Sequence, residues 1–238
     1  MSTDHSLVRI PYADRQTAGR ELAELLRDHA GDPDVVVLAL PRGGLPVASE
    51  VARALRAPLD VLVVRKLGLP GQPELAAGAI ASGGITVTNP QVAAYFPNLD
   101  KTLEAVAARE RHELHRREAM YRKGSTPLDV RDRIVILVDD GIATGSTMEA
   151  AVLALRAMHP RSIVVAVPIA PPESIGMLAR CADRVVCPHQ PDPFIAVGCW
   201  YEDFPQLTDE EVVAILAQHR VAPADKRAAT RSDHHRAP

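Results

Sequence analysis

The chain has 238 residues, 47% of them hydrophobic and 24% charged, and a formal net charge of −3. That length can bury a substantial core, and so small a net charge gives no global pull toward nucleic acid or an anionic membrane. No apolar run approaches the roughly 20 residues that span a bilayer, "MSTDHSLVRIPYADR" lacks the order of a secretory signal, and Cys181, Cys187 and Cys199 match no zinc spacing. A cytoplasmic α/β protein with buried free thiols is expected.

Strands and helices alternate along the chain. Within 14–30, Leu22, Leu25 and Leu26 recur at helical spacing. "DVVVLAL" (34–40) is a continuous β-branched apolar run, the pattern of a strand buried on both faces. A helix is predicted over 45–57, with Pro46 in its first turn, where a missing N–H costs little. "LDVLVVRK" (59–66) reads as a second buried strand. Prolines and glycines mark 67–78 as loop, and 78–89 as a hairpin turned at Gly83-Gly84. A long charged helix follows over 99–123. Strands are predicted at 132–138, 161–170 and 183–188, with helices at 147–159 and 173–182. A last helix (209–220) precedes a tail, 221–238, poor in bulky apolar residues and expected to be disordered. The pattern predicts one α/β domain over 1–220, a mainly parallel central sheet with helices on both faces.

The chemistry concentrates in "IVILVDDGIATGST" (134–147), where a strand runs into two carboxylates and a loop of small residues. Ligands of open parallel sheets bind beyond the carboxyl ends of the strands, which is where Asp139 and Asp140 fall. Gly141 to Thr147 lead into a helix N-terminus, whose unpaired N–H groups and positive dipole end suit a phosphate. Two carboxylates would repel a lone phosphate. They suit a ligand that also brings hydroxyls, a divalent cation or a developing positive charge.

"VILVDDGIATGST" resembles the phosphoribosyl diphosphate signature of the type I phosphoribosyltransferases: hydrophobic strand, two acids, two mostly apolar residues, then a Thr-Gly-x-Thr loop. It departs only at Gly141, where a larger apolar residue is usual. No Walker phosphate loop occurs. The resemblance implies a phosphoribosyltransferase that uses phosphoribosyl diphosphate and Mg²⁺. Asp139 and Asp140 would be the catalytic, metal-holding acids. Ala143, Thr144, Gly145, Ser146 and Thr147 would bind the 5′-phosphate. A small hood, from the N-terminal segment and about 189–206, would hold the base.

"LALPRGGLPVA" (38–48) then looks like the family's diphosphate loop, with Arg42, Gly43 and Gly44 on the leaving group and a cis peptide near Arg42-Gly43. "RKLGLPGQPELAAGA" (65–79) looks like the catalytic lid. There Arg65 and Lys66 would neutralise diphosphate, and Lys66 and Glu74 would approach the reacting centre. Ala143 stands where the 6-oxopurine enzymes carry an Asp, and so resembles the adenine-type motif, whose general base lies in the lid. Glu74 is the lid's carboxylate.

Phe194, Trp200, Tyr201 and Phe204 cluster in the hood segment, either to anchor a C-terminal helix or, for Phe194 and Trp200, to stack on a base. The helix 101–123 carries Arg109, Arg111, His112, His115, Arg116, Arg117 and Arg122. It reads as a solvated face, a homodimer arm, or an RNA contact like that of the family's regulatory members. The expected partners are phosphoribosyl diphosphate and a nitrogenous base or nucleotide, with nucleic acid disfavoured and no membrane. A non-catalytic sensor of the same ligands is the alternative.

Overall fold

A computed structural model describes residues 10–69, 77–96 and 99–219. Most of the expected lid, including Glu74, and the expected disordered tail lie outside the described residues. The elements in order are α1 (Arg15–Leu25), β1 (Val35–Ala39), α2 (Gly44–Leu55), β2 (Leu59–Val61), β3 (Val64–Leu67), β4 (Gly78–Ala81), β5 (Ile85–Thr88) and α3 (Pro90–Ala93). There follow α4 (Leu99–Arg122), β6 (Ile134–Val138), α5 (Ser146–Arg156), β7 (Ser162–Ala166), α6 (Pro172–Leu178), β8 (Arg184–Val186) and α7 (Asp209–His219).

Five strands form a parallel sheet in the order β2-β1-β6-β7-β8. The two inner strands β1 and β6 are apolar throughout because both faces are covered. Val35, Val37 and Ala39 of β1, with Ile136 and Val138 of β6, join one core with Leu22, Val51 and Leu216 of α1, α2 and α7. Val36 and Leu38, with Val135 and Leu137, join a second core with Val152, Leu155 and Leu178 of α5 and α6. Alternate side chains thus feed opposite layers, which is what a doubly covered sheet requires.

The expected single strand 59–66 is in fact two. Leu59–Val61 pairs with β1, and Leu62 N–H donates the last bond of that ladder to Ala39 C=O (3.0 Å). One residue on, Ser82 N–H donates to Val63 C=O (2.9 Å), and β3 pairs antiparallel with β4 in a separate sheet, β3-β4-β5. Val61, Leu62 and Val63 stay buried across the switch, so hydropathy does not mark the break. The hairpin turns at Gly83 and Gly84 with φ of 80° and 75°, values that favour glycine.

Helix α4 buries Leu103, Ala107, Leu114 and Tyr121, and lies against β3, β4, β5 and α7. It is a packed element with one charged face. Of the cysteines, Cys181 and Cys187 are half-buried free thiols, whereas Cys199 is exposed, contrary to the expectation for all three. No helix among the described residues is long and apolar enough to cross a membrane.

Candidate active site

Parallel pairing of β1 with β6 sets Ala39 beside Val138, so the loops after these two strands leave the sheet side by side. Leu40 N–H extends the ladder to Val138 C=O (2.9 Å). The chain then turns through Pro41, Arg42 and Gly43 into α2. A cis peptide is present at Pro41-Arg42, one bond earlier than expected.

The glycine pair packs directly on the acidic pair. A β-carbon at Gly43 would overlap the Asp140 carboxylate, standing 2.7 Å from its Cγ. One at Gly44 would stand 2.8 Å from Val138 O and 2.9 Å from Asp139 Cα. Either approach is closer than real side chains allow, so the loop and the two acids form one unit.

Asp139 is held at the strand end by Asp140 N–H, which donates to its Oδ1 (2.9 Å). Burial first, and the neighbouring Asp140 charge second, push its carboxyl well above the usual carboxylate range. Burial raises Asp140 too, but Arg15 pulls against that rise: its Nε donates to Asp140 Oδ2 at 2.8 Å. Tyr201 OH donates to the Asp140 backbone C=O (2.5 Å).

Gly141, where the signature usually carries a larger residue, has its place filled from elsewhere. A β-carbon there would stand 2.6 Å from Val197 Cγ1 and 3.0 Å from Ile169 Cγ2. Val197 belongs to the 3₁₀ turn Val197–Trp200, so the hood segment supplies the bulk that this position lacks.

Beyond it, Ala143 and Thr144 are exposed, and Ser174 Oγ donates to Ala143 C=O (2.7 Å). Gly145 caps α5 at φ 78°, and a side chain there would meet Met177 Cε at 2.5 Å. No side chain caps α5, so its first N–H groups face outward beside Thr144 Oγ1 and Ser146 Oγ, which lie 3.1 Å apart. Thr147 is exposed in the first turn.

Lys66 reaches this loop from the second sheet: its Nζ donates to Ser146 Oγ (3.2 Å). Arg65, the next residue back, faces the other way, as strand alternation demands. Its guanidinium lies 3.5 Å from Glu110 and 3.9 Å from Glu113 of α4. Arg42 is exposed and points toward Asp209 at the start of α7 (3.9 Å). Of the two strand-end cations, then, only Lys66 joins the loop.

Among the hood aromatics, Tyr201 and Phe204 stack on each other (centroids 4.9 Å apart) and pack with Tyr12, tying the N-terminal segment down. Phe194 and Trp200 form a separate tilted pair, 6.1 Å apart, both half-buried. Trp200 Nε1 is buried without a hydrogen-bond partner among the described residues.

Sequence reasoning did not single out Arg15, Tyr12, Val197 or Ser174. Nothing local distinguishes Arg15 from any other charged residue in a first helical turn.

A phosphoribosyl transferase domain model matches residues 12–203. Two Mycobacterium tuberculosis proteins, Rv0571c and MT0597, both provisionally assigned as phosphoribosyl transferases, are 48% identical to the chain over 205 residues. That match covers 86% of this chain and 46% of theirs, so the chain spans about half the length of these curated relatives. The crystal structure of TT1426 from Thermus thermophilus is similar at a TM-score of 0.81 and 46% identity, covering 87% of this chain and 98% of that one.

Proposed function

Because the chain belongs to the phosphoribosyl transferase domain family, matched over residues 12–203, we propose that it transfers ribose 5-phosphate from phosphoribosyl diphosphate to a nitrogenous base in the cytoplasm. One observation carries this reading: Asp139 and Asp140, the Gly43-Gly44 turn, the α5 N-terminus and Lys66 meet at a single edge of the parallel sheet. The 5′-phosphate sits on the backbone N–H groups of Ala143 to Thr147, with Thr144, Ser146 and Thr147 hydroxyls beside them. The diphosphate lies over Arg42, Gly43 and Gly44.

In the reaction the C1′–O bond to diphosphate breaks and a base nitrogen bonds to C1′, giving up its proton. Asp139 and Asp140 orient the ribose hydroxyls and favour the positive charge that develops on the sugar. Among the described residues no cluster of three or more His, Cys, Asp or Glu could hold a metal by itself. Two hard carboxylates suit Mg²⁺, which is commonly held by one or two carboxylates plus substrate oxygens. Such an ion, on Asp139 and Asp140, would neutralise diphosphate charge. Phe194 and Trp200 stack on the base, and Glu74 acts as the proton acceptor from the lid.

The test mixes purified protein, phosphoribosyl diphosphate, Mg²⁺ and a panel of purine and pyrimidine bases, and measures diphosphate release. Base-dependent release supports transfer. Tight phosphoribosyl diphosphate binding without release for any base would favour a sensor instead.

A further inference from the structure

We propose that Arg15 is a positioning residue of this active site, holding the Asp140 carboxylate for the ribose. The inference rests on the functional reading above and adds a residue that lies outside every motif.

The geometry is specific. Arg15 is the first residue of α1, fixed there by Asp14, whose side chain accepts from Thr17 N–H (2.6 Å). Its side chain is only 8% exposed. The guanidinium does three things at once. Nε donates to Asp140 Oδ2 (2.8 Å), Nη1 donates to Pro205 C=O (2.9 Å), and the plane lies over the Phe204 ring, 3.7 Å from its centroid. Backbone bonds fasten the same segments: Tyr12 N–H to Trp200 C=O, Glu202 N–H to Tyr12 C=O, and Asp203 N–H to Ala13 C=O, at 2.8, 2.8 and 3.0 Å.

If Arg15 served only to anchor the hood, Pro205 and Phe204 would suffice as partners. Its strongest donor goes instead to one of the two signature carboxylates. That carboxylate is held by Arg15 at Oδ2 and hemmed in by the Gly43 turn, while Tyr201 OH fixes the Asp140 backbone C=O. No cationic side chain pairs with Asp139 among the described residues, so the two acids are held differently. Pairing one of them lets a doubly acidic site persist before ligand arrives.

Calorimetry on a four-protein cycle tests this: the unaltered protein, Arg15→Gln, Asp140→Asn and the double variant, each titrated with ribose 5-phosphate and with phosphoribosyl diphosphate plus Mg²⁺. Arg15→Gln is expected to weaken binding about tenfold, and to weaken it no further once Asp140 is Asn. Arg15→Lys, which keeps a donor to Asp140, is expected to recover part of the loss. Losses that multiply in the double variant would overturn the positioning role, because a loosened hood harms binding whatever stands at position 140. Should Arg15→Gln fail to fold, the same cycle is run with Arg15→Lys under the same criterion. If the unaltered protein binds neither ligand, the functional reading itself falls. If it binds both and the losses multiply, only Arg15 is reassigned.

Discussion

Asp139 shows how much a single residue sacrifices at such a site. Its half-buried carboxyl is desolvated by the packing around it and stands beside a second carboxylate, and both effects raise its proton affinity. A carboxyl whose folded-state pKa lies above its unfolded value binds its proton more tightly when folded. Its contribution to stability is therefore lost as pH rises above the ordinary Asp range of about 4. Asp139→Asn keeps the shape and removes that penalty. The variant is expected to melt higher than the unaltered protein at neutral pH, by about 2–4 °C for each kcal/mol recovered, and to show a flatter dependence on pH. Turnover should fall tenfold or more, a barrier increase of about 1.4 kcal/mol per factor of ten. Melting curves from pH 4 to 8 and the diphosphate assay check the two halves. Equal melting at every pH would remove the argument from burial. Gly43 belongs to the same scale: it lacks a side chain because the Asp140 carboxylate fills the space.

At the scale of elements, α7 packs against α2 and α4, burying Val212, Val213 and Leu216, and meets α2 through His219, whose Nε2 lies 2.8 Å from Ser49 Oγ. Burial, and then the Arg53 charge, lower the proton affinity of His219. Its unfolded pKa is about 6.5, so the unfolded chain gains a proton before the folded one does, and stability falls as pH drops below that value. His219→Gln should flatten the fall in melting temperature between pH 7 and 5, as read by calorimetry. An unchanged slope would place the acid sensitivity elsewhere.

Helix α4 carries all seven basic residues that raised the RNA reading, but several are already paired. Arg111 bonds Glu104, Arg116 and Arg117 both bond Glu113, and Arg122 is buried against Glu118 and Asp60. Hydrogen bonds and charge from Arg116 and Arg117 hold Glu113 down at about 2. Charges neutralised within one helix leave little basic field for a phosphate backbone.

On the scale of the whole molecule, the site is assembled from distant parts of the chain. The acidic pair and the Ala143–Thr147 loop come from the middle, the glycine turn and Lys66 from the first third, and the Tyr12–Arg15 and Trp200–Pro205 segments from near the two ends of the described residues. A ligand held by all of them ties the molecule together. Phosphoribosyl diphosphate with Mg²⁺ should therefore raise the melting temperature, by about 2.7 kcal/mol of stability at a hundred times its Kd. Thermal shift against ligand concentration measures this. Ribose without phosphate should give no shift, and a shift from diphosphate alone as large as from the full ligand would argue against the ribose and 5′-phosphate contacts.

The sequence by itself determined the order of elements, the buried parallel strands and the place of the acidic pair. These are written in local patterns: continuous β-branched runs, helical spacing, and a strand ending in Asp-Asp before a glycine loop. Tertiary structure decided the rest. Hydropathy could not mark where 59–66 leaves one sheet for another, because burial continues across the break. The sequence pattern gave Arg65 and Lys66 one shared role at a strand end, and only the packing of α4 on one side and α5 on the other gave Arg65 to Glu110 and Lys66 to Ser146. Val197 fills the space at Gly141, and Arg15 meets Asp140 across 125 residues of chain. Local periodicity records how deeply a residue is buried. Which distant side chain it meets there depends on how the layers dock.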